Sequence, residues 1–147
     1  MKARHYVIFL LAVIGILIGC MGGGGSSNTT SSTSTATTSG GGNTTVDVSM
    51  TGSMTFSPKS VVAHAGDTIQ WTNNGAMPHT VLSDTGVTGL DSSTSFVGGM
   101  QPGDVFTWAV PANATVGMKY YYHCTFHGTA GNGSNFGTGM TGVITVD

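Results

Sequence analysis

The chain has 147 residues, room for one domain plus tails. Only 7% of its side chains are charged, against roughly 25% in an average soluble domain. From residue 21 onward two lysines (Lys59, Lys119) face six aspartates, a net charge of −4. Two lysines cannot build the basic face that nucleic-acid binding requires, and the lack of any Glu argues against long amphipathic surface helices.

Residues 1–5 form a short basic start, and residues 6–18 (YVIFLLAVIGILI) are an uninterrupted apolar run of 13. A secretory signal has this shape, with about 7–15 apolar residues before small residues at the cut, whereas a spanning helix wants about 20. The run closes in Leu17-Ile18-Gly19-Cys20. That tetrapeptide resembles the lipobox of bacterial lipoproteins, in which the cysteine is acylated and becomes the mature N-terminus. The resemblance implies a signal peptide over residues 1–20, lipidation of Cys20, and an exported, periplasmic or cell-surface protein anchored to a membrane. An uncleaved N-terminal anchor is the alternative. If Cys20 is lipidated, Cys124 has no intramolecular disulfide partner, and a lone thiol in an oxidising compartment is a liability unless it is occupied.

Residues 21–45 are low in complexity, uncharged and rich in Gly, Ser and Thr. Such a segment cannot bury enough surface to offset its ordering entropy, so a flexible linker is expected. A coil of this length typically spans about 25–30 Å. It reads as a tether that holds a globular head away from the membrane.

Residues 46–147 carry short alternating or β-branched runs: 46–50 (VDVSM), 60–64 (SVVAH), 68–73 (TIQWTN), 79–83 (HTVLS), 105–110 (VFTWAV), 118–124 (MKYYYHC) and 142–147 (GVITVD). Gly, Asp, Asn and Pro clusters separate them, and no stretch has a helical period with caps. The pattern predicts an all-β antiparallel sandwich or barrel. Strand alternation puts Met118, Tyr120, Tyr122 and Cys124 on one face and Tyr121 and His123 on the other. Trp71 and Trp108 are expected in the core.

Four residues carry chemistry. Cys124 and His127 form Cys-x-x-His at a strand end. His79 follows Pro78, and Met140 precedes the last strand. One thiolate, two imidazoles and a thioether are the donors of a blue-copper site, where His₂Cys binds the metal trigonally and a weak axial Met completes it. The thiolate is a strong soft donor, the imidazoles suit both oxidation states, and the Met tunes the potential. Structural zinc sites use four strong ligands, commonly paired cysteines, and binuclear copper sites of the oxidase type need two cysteines in one loop. Neither fits. His123 cannot share a metal with Cys124, because it faces the other way. It is either a solvated or packed residue or a ligand shared with a neighbouring chain. His64 is expected at the surface, His5 in the signal, and Met50, Met54, Met77, Met100 and Met118 in packing or at the rim.

Several segments resemble the cupredoxins of the plastocyanin and amicyanin group. Residues 65–73 (AGDTIQWTN) resemble that family's Gly-Asp-Thr-x-x-Trp-x-Asn strand. Residues 76–81 (AMPHTV) and 122–127 (YHCTFH) are similar to the amicyanin segments bearing the first histidine and the Cys/His pair. Residues 139–146 (GMTGVITV) are similar to the Met-x-Gly-x-Val strand that supplies the axial ligand. The resemblance implies a Greek-key β-sandwich over residues 46–147 with one type 1 copper at one end. It implies an outer-sphere electron carrier, not an enzyme, with a monomeric head and transient redox protein partners. His127 would be the exit, with Met77, Pro78 and Gly128 around it as a low-charge docking surface. A copper chaperone or storage module is the second reading. One departure stands out: 12 residues, 128–139, separate His127 from Met140, where the family has only a few. A flexible insertion of this kind can bulge outward and still return Met140 to the metal, because the cost of loop closure grows slowly with length. It would also alter the rim around His127.

Overall fold

The structure is a computed structural model and describes residues 43–147. The signal-like segment, Cys20 and nearly all of the linker lie outside the described residues. No helix among the described residues is long and apolar enough to cross a membrane.

Eight strands form two four-stranded sheets. The first holds β1 (Thr45–Met50), β2 (Phe56–Ser57), β4 (Thr68–Asn73) and β6 (Val105–Ala109) in the order β2-β1-β4-β6. The second holds β3 (Ser60–Ala63), β5 (Leu82–Ser83), β7 (Lys119–Gly128) and β8 (Gly139–Val146) in the order β3-β8-β7-β5. The fold is the expected all-β Greek-key sandwich, but it is not purely antiparallel. β1 runs parallel to β4, and β3 runs parallel to β8. Every connection from β2 to β7 crosses between the sheets, so neighbours within a sheet are seldom consecutive in the chain. Only β1–β2 and β7–β8 are hairpin pairs.

The alternation that defines the strands also builds the core. Val48, Met50, Ile69, Trp71, Phe106 and Trp108 point inward from the first sheet; Val61, Ala63, Tyr120, Tyr122, Ile144 and Val146 point inward from the second. Trp71 and Tyr122 are fully buried and meet edge to face at 5.3 Å between ring centroids. Gly142 on β8 exists for this packing. A Cβ there would lie 2.3 Å from Cζ of Tyr122, well inside contact distance.

Three local expectations need correction. The run 79–83 is strand only at Leu82–Ser83; His79 instead forms an isolated bridge with Met100, because Pro78 and the preceding turn bring the chain in across the sheet end. A two-residue β2 and a 3-10 turn at Ser92–Thr94 carried no periodic signal. The insertion after His127 does not simply bulge outward. Gly128 pairs with Gly139, and Thr129 N donates to the Thr138 carbonyl at 3.0 Å, so β7 and β8 run on into a hairpin. That hairpin folds back over the outer face of β7. Phe136 packs on Tyr121 with centroids 5.3 Å apart, and Lys59 Nζ sits 4.2 Å above the Phe136 ring. Tyr121 and His123 are therefore buried on the face opposite the core.

Candidate metal centre

The end of β4, the segment before β5, the end of β7 and the start of β8 meet at one end of the sandwich. Asn73, the last residue of β4, organises that end. It is 1% exposed, and its Nδ2 donates to the carbonyls of Met77 (2.9 Å) and Met100 (2.8 Å) while its Oδ1 accepts from Gly75 N (2.9 Å). These bonds hold the turn that presents Pro78 and His79. His79 and Met100 then exchange backbone hydrogen bonds of 3.1 and 2.8 Å.

Across the gap, β7 delivers Cys124 and His127. Cys124 shares the inward face with Tyr120 and Tyr122, as alternation predicts, and is fully buried. The β7–β8 register breaks between His123 and Gly128, which turns His127 back toward the same space. A pair of threonines ties the two ligand segments together. Thr125 N donates to Thr80 Oγ1 at 2.8 Å, and the two hydroxyls lie 3.0 Å apart.

The result is a triangle of donors. Cys124 Sγ is 3.8 Å from His79 Nδ1 and 3.6 Å from His127 Nδ1, and the two Nδ1 atoms are 3.1 Å apart. Among the described residues this is the group of His, Cys and acidic side chains able to hold a metal ion. Three electron-rich atoms face one small space, and a point in their plane is about 2.0 Å from each, within metal–nitrogen bonding range. Burial, and then the neighbouring charge of His127, hold the His79 pKa below the ordinary imidazole value, while the Thr51 backbone pulls it up. Thr80 N points at Cys124 Sγ from 3.4 Å, a contact that tunes a thiolate ligand.

The family comparison falls on the same residues. The model described as "Copper binding proteins, plastocyanin/azurin family" matches residues 42–147. The chain belongs to this family of copper-binding proteins. A plastocyanin from Scenedesmus fuscus is 28% identical over 100 residues, covering 65% of this chain and 90% of that protein. Among solved structures, a Cu(I) amicyanin variant is 23% identical with a TM-score of 0.48, covering 70% of this chain and 82% of that one. An oxidised amicyanin variant is 25% identical with the same TM-score and coverage. The donor set fits the cofactor of the family, one type 1 copper.

Met140, the fourth expected residue of this cupredoxin, is 1% exposed and lies on β8 next to the pair Gly128–Gly139. Thr141 pairs with His123 and Gly142 with Tyr122, so Met140 falls on the Cys124 side of the sheet by alternation. His123 faces away from the donors. Its Nδ1 is 2.7 Å from Asp84 Oδ1, and Asp84 Oδ2 accepts from Gly131 N at 2.7 Å. It is a packed residue, and the Asp84 carboxylate fastens the insertion to the back of the ligand strand. His64 is at the surface, 3.3 Å from Asp67.

His127 is half-buried and lines a shallow apolar depression of about 210 Å³ with Met77, Pro78, Gly98 and Phe126. Gly128 is not in that lining; its backbone is committed to the pair with Gly139. Sequence reading overlooked Phe126, which is 52% exposed, and assigned no role to Asn73, Thr80 or Asp84. Strict alternation would put Phe126 on the Cys124 face; it is exposed because the β7–β8 register breaks between His123 and Gly128, which the sequence does not signal. The Asp84 partners His123 and Gly131, and the Met100 carbonyl bonded by Asn73, come from distant segments and leave no local trace, whereas Gly75 and Met77 lie two and four residues beyond Asn73.

Proposed function

We propose that this cupredoxin carries single electrons between redox proteins outside the cytoplasm, tethered to a membrane through Cys20. In this reading His79, Cys124 and His127 would hold the copper, with Met140 as a fourth, weaker donor. Bound there, copper supplies a one-electron Cu(I)/Cu(II) couple. The chain supplies the rest. Asn73 and the Thr80–Thr125 pair keep the donors at fixed spacing, so that little reorganisation accompanies a change of valence. The fully buried thiol keeps water from the sulfur. His127 joins the site to the apolar depression, where Met77, Pro78 and Phe126 offer contact area without a single charge. Small, weakly held interfaces suit transient redox encounters.

The observation that carries the reading is the donor triangle with sides of 3.1, 3.6 and 3.8 Å opening onto an uncharged surface. The test is spectroscopic. Cu(II) added to the copper-free chain is expected to produce an intense visible thiolate-to-copper band, lost in Cys124→Ser and moved in energy in Met140→Ala. A Cys124→Ser variant that keeps the band would refute the assignment. Electron self-exchange, which needs no partner, checks the docking surface. Its rate should vary little with ionic strength and fall at least tenfold in Phe126→Lys, where two like charges meet. A steep salt dependence in the unaltered protein would point to a different exit.

A further inference from the structure

Two exposed turns of the domain carry the pattern Asn-x-Ser/Thr, with x other than Pro: Asn113-Ala114-Thr115 and Asn132-Gly133-Ser134. The pattern marks asparagine N-glycosylation in exported proteins, where it must lie on a surface loop. We infer that Asn113 and Asn132 are N-glycosylated, an inference that rests on the export proposed above.

Both sites have the required form. Asn113 is exposed in a tight turn closed by Ala114 N donating to the Pro111 carbonyl at 2.9 Å, and Thr115 is exposed beside it. Asn132 is exposed at the insertion hairpin. Its Oδ1 accepts from Ser134 N (3.0 Å) and Asn135 N (2.9 Å), which occupies the oxygen and leaves Nδ2 uncommitted among the described residues. That nitrogen is the atom that reacts. It forms a bond to the anomeric carbon of a polyprenyl-phosphate-linked oligosaccharide. The anomeric carbon–phosphate oxygen bond breaks, the lipid phosphate leaves with the electron pair, and the amide proton passes to a base of the transferase.

Position and composition give the sugars a purpose. Residues 110–118 join β6 to the start of β7, at the end of the sandwich opposite Cys124 and His127. Asn132 sits on the hairpin that covers the outer face of β7. Neither asparagine lines the depression at His127, so glycans there leave the docking surface open. The domain also needs hydration from a source other than charge. Charged residues are 7% of the chain, while soluble surfaces carry about 25–35%, and Val62, Val97 and Val116 are 59%, 96% and 76% exposed.

The two lysines of the domain make the test simple. Trypsin cuts after Lys59 and Lys119, placing Asn113 and Asn132 in separate peptides, 60–119 and 120–147. The full chain isolated from the membranes of its own cells is expected to yield both peptides heavier by whole sugar residues, with sugar fragment ions. Thr115→Ala and Ser134→Ala, which keep the asparagines, should each return only their own peptide to its bare mass. Intact glycopeptides must be weighed, because Asn132-Gly133 can deamidate and mimic the trace left by enzymatic sugar removal. Export is scored separately by labelling Lys59 and Lys119 in intact cells with an impermeant amine reagent. Labelled protein with bare peptides overturns the glycan assignment alone. Unlabelled protein with bare peptides overturns it together with the export reading.

Discussion

Replacing Asn73 with Ala tests whether one buried amide organises the metal end. Asn73→Ala removes two donated hydrogen bonds and one accepted bond. The consequences for the three partners differ. The Met100 carbonyl keeps the His79 N–H at 3.1 Å. The Met77 carbonyl belongs to a residue 48% exposed, so water can replace its donor. Gly75 N–H is buried and loses its partner outright. One orphaned buried donor costs about 1–3 kcal/mol, and each lost bond adds roughly 0.5–1.5 kcal/mol. The expected loss is about 3 kcal/mol, a large share of the 5–15 kcal/mol typical of a small domain. For a domain of this size that lowers Tm by roughly 12–24 °C. The assay is urea unfolding of the copper-free chain, followed by tryptophan fluorescence. Because the loosened turn carries Pro78 and His79, copper affinity should fall at least tenfold as well. A loss below about 1 kcal/mol, or a full loss of stability with unchanged copper affinity, would refute the reasoning.

Three further outcomes are expected. Gly142→Ala forces a Cβ to within 2.3 Å of Tyr122 Cζ and should destabilise the chain by about 1–3 kcal/mol. Gly52→Ala has nothing within 4 Å and should be close to neutral; equal thermal shifts in the two variants would contradict the packing argument. Asp84→Ala strands His123 Nδ1 and Gly131 N, so amide exchange at Gly131 should speed up and chymotrypsin should cut at Phe136 in the folded protein; unchanged protection there would mean that the insertion is held by other contacts. Asp67 is buried, which raises its pKa, but hydrogen bonds from the backbone of His64 and Thr44 outweigh this and leave it lowered from 3.8. Its stabilisation is therefore complete above 3.8 and drains away as pH falls from there through the lower folded value. Unfolding free energy measured against pH should drop in that acid window, and Asp67→Asn should flatten the drop; an identical acid profile in the variant would sink the assignment.

What is legible from the chain follows from chemistry that is local. Period-2 alternation bounded by Gly, Pro and Asn is a property of adjacent residues, so β4, β6, most of β7 and β8 could be read directly, as could the all-β class. The His79, Cys124 and His127 cluster could be read too, because a lone thiol with an imidazole three residues on and another His upstream matches few metals other than copper. Pairing is not local. Parallel β1–β4 and β3–β8 contacts arise because consecutive strands cross between sheets, and no single strand records which distant partner it will meet. The same reason hides Asp84 and part of the role of Asn73. Asp84 meets His123 and Gly131, 39 and 47 residues away, while Asn73 bonds Gly75 and Met77 within its own turn and reaches only the Met100 carbonyl from afar; each is an ordinary polar residue until folding buries it, where an unpartnered group would be costly. The insertion shows the contrast most sharply. Its Gly-rich composition signals only freedom, whereas its place over Tyr121 and His123 comes from Asp84, Phe136 and Lys59, which the folded sheet alone brings within reach.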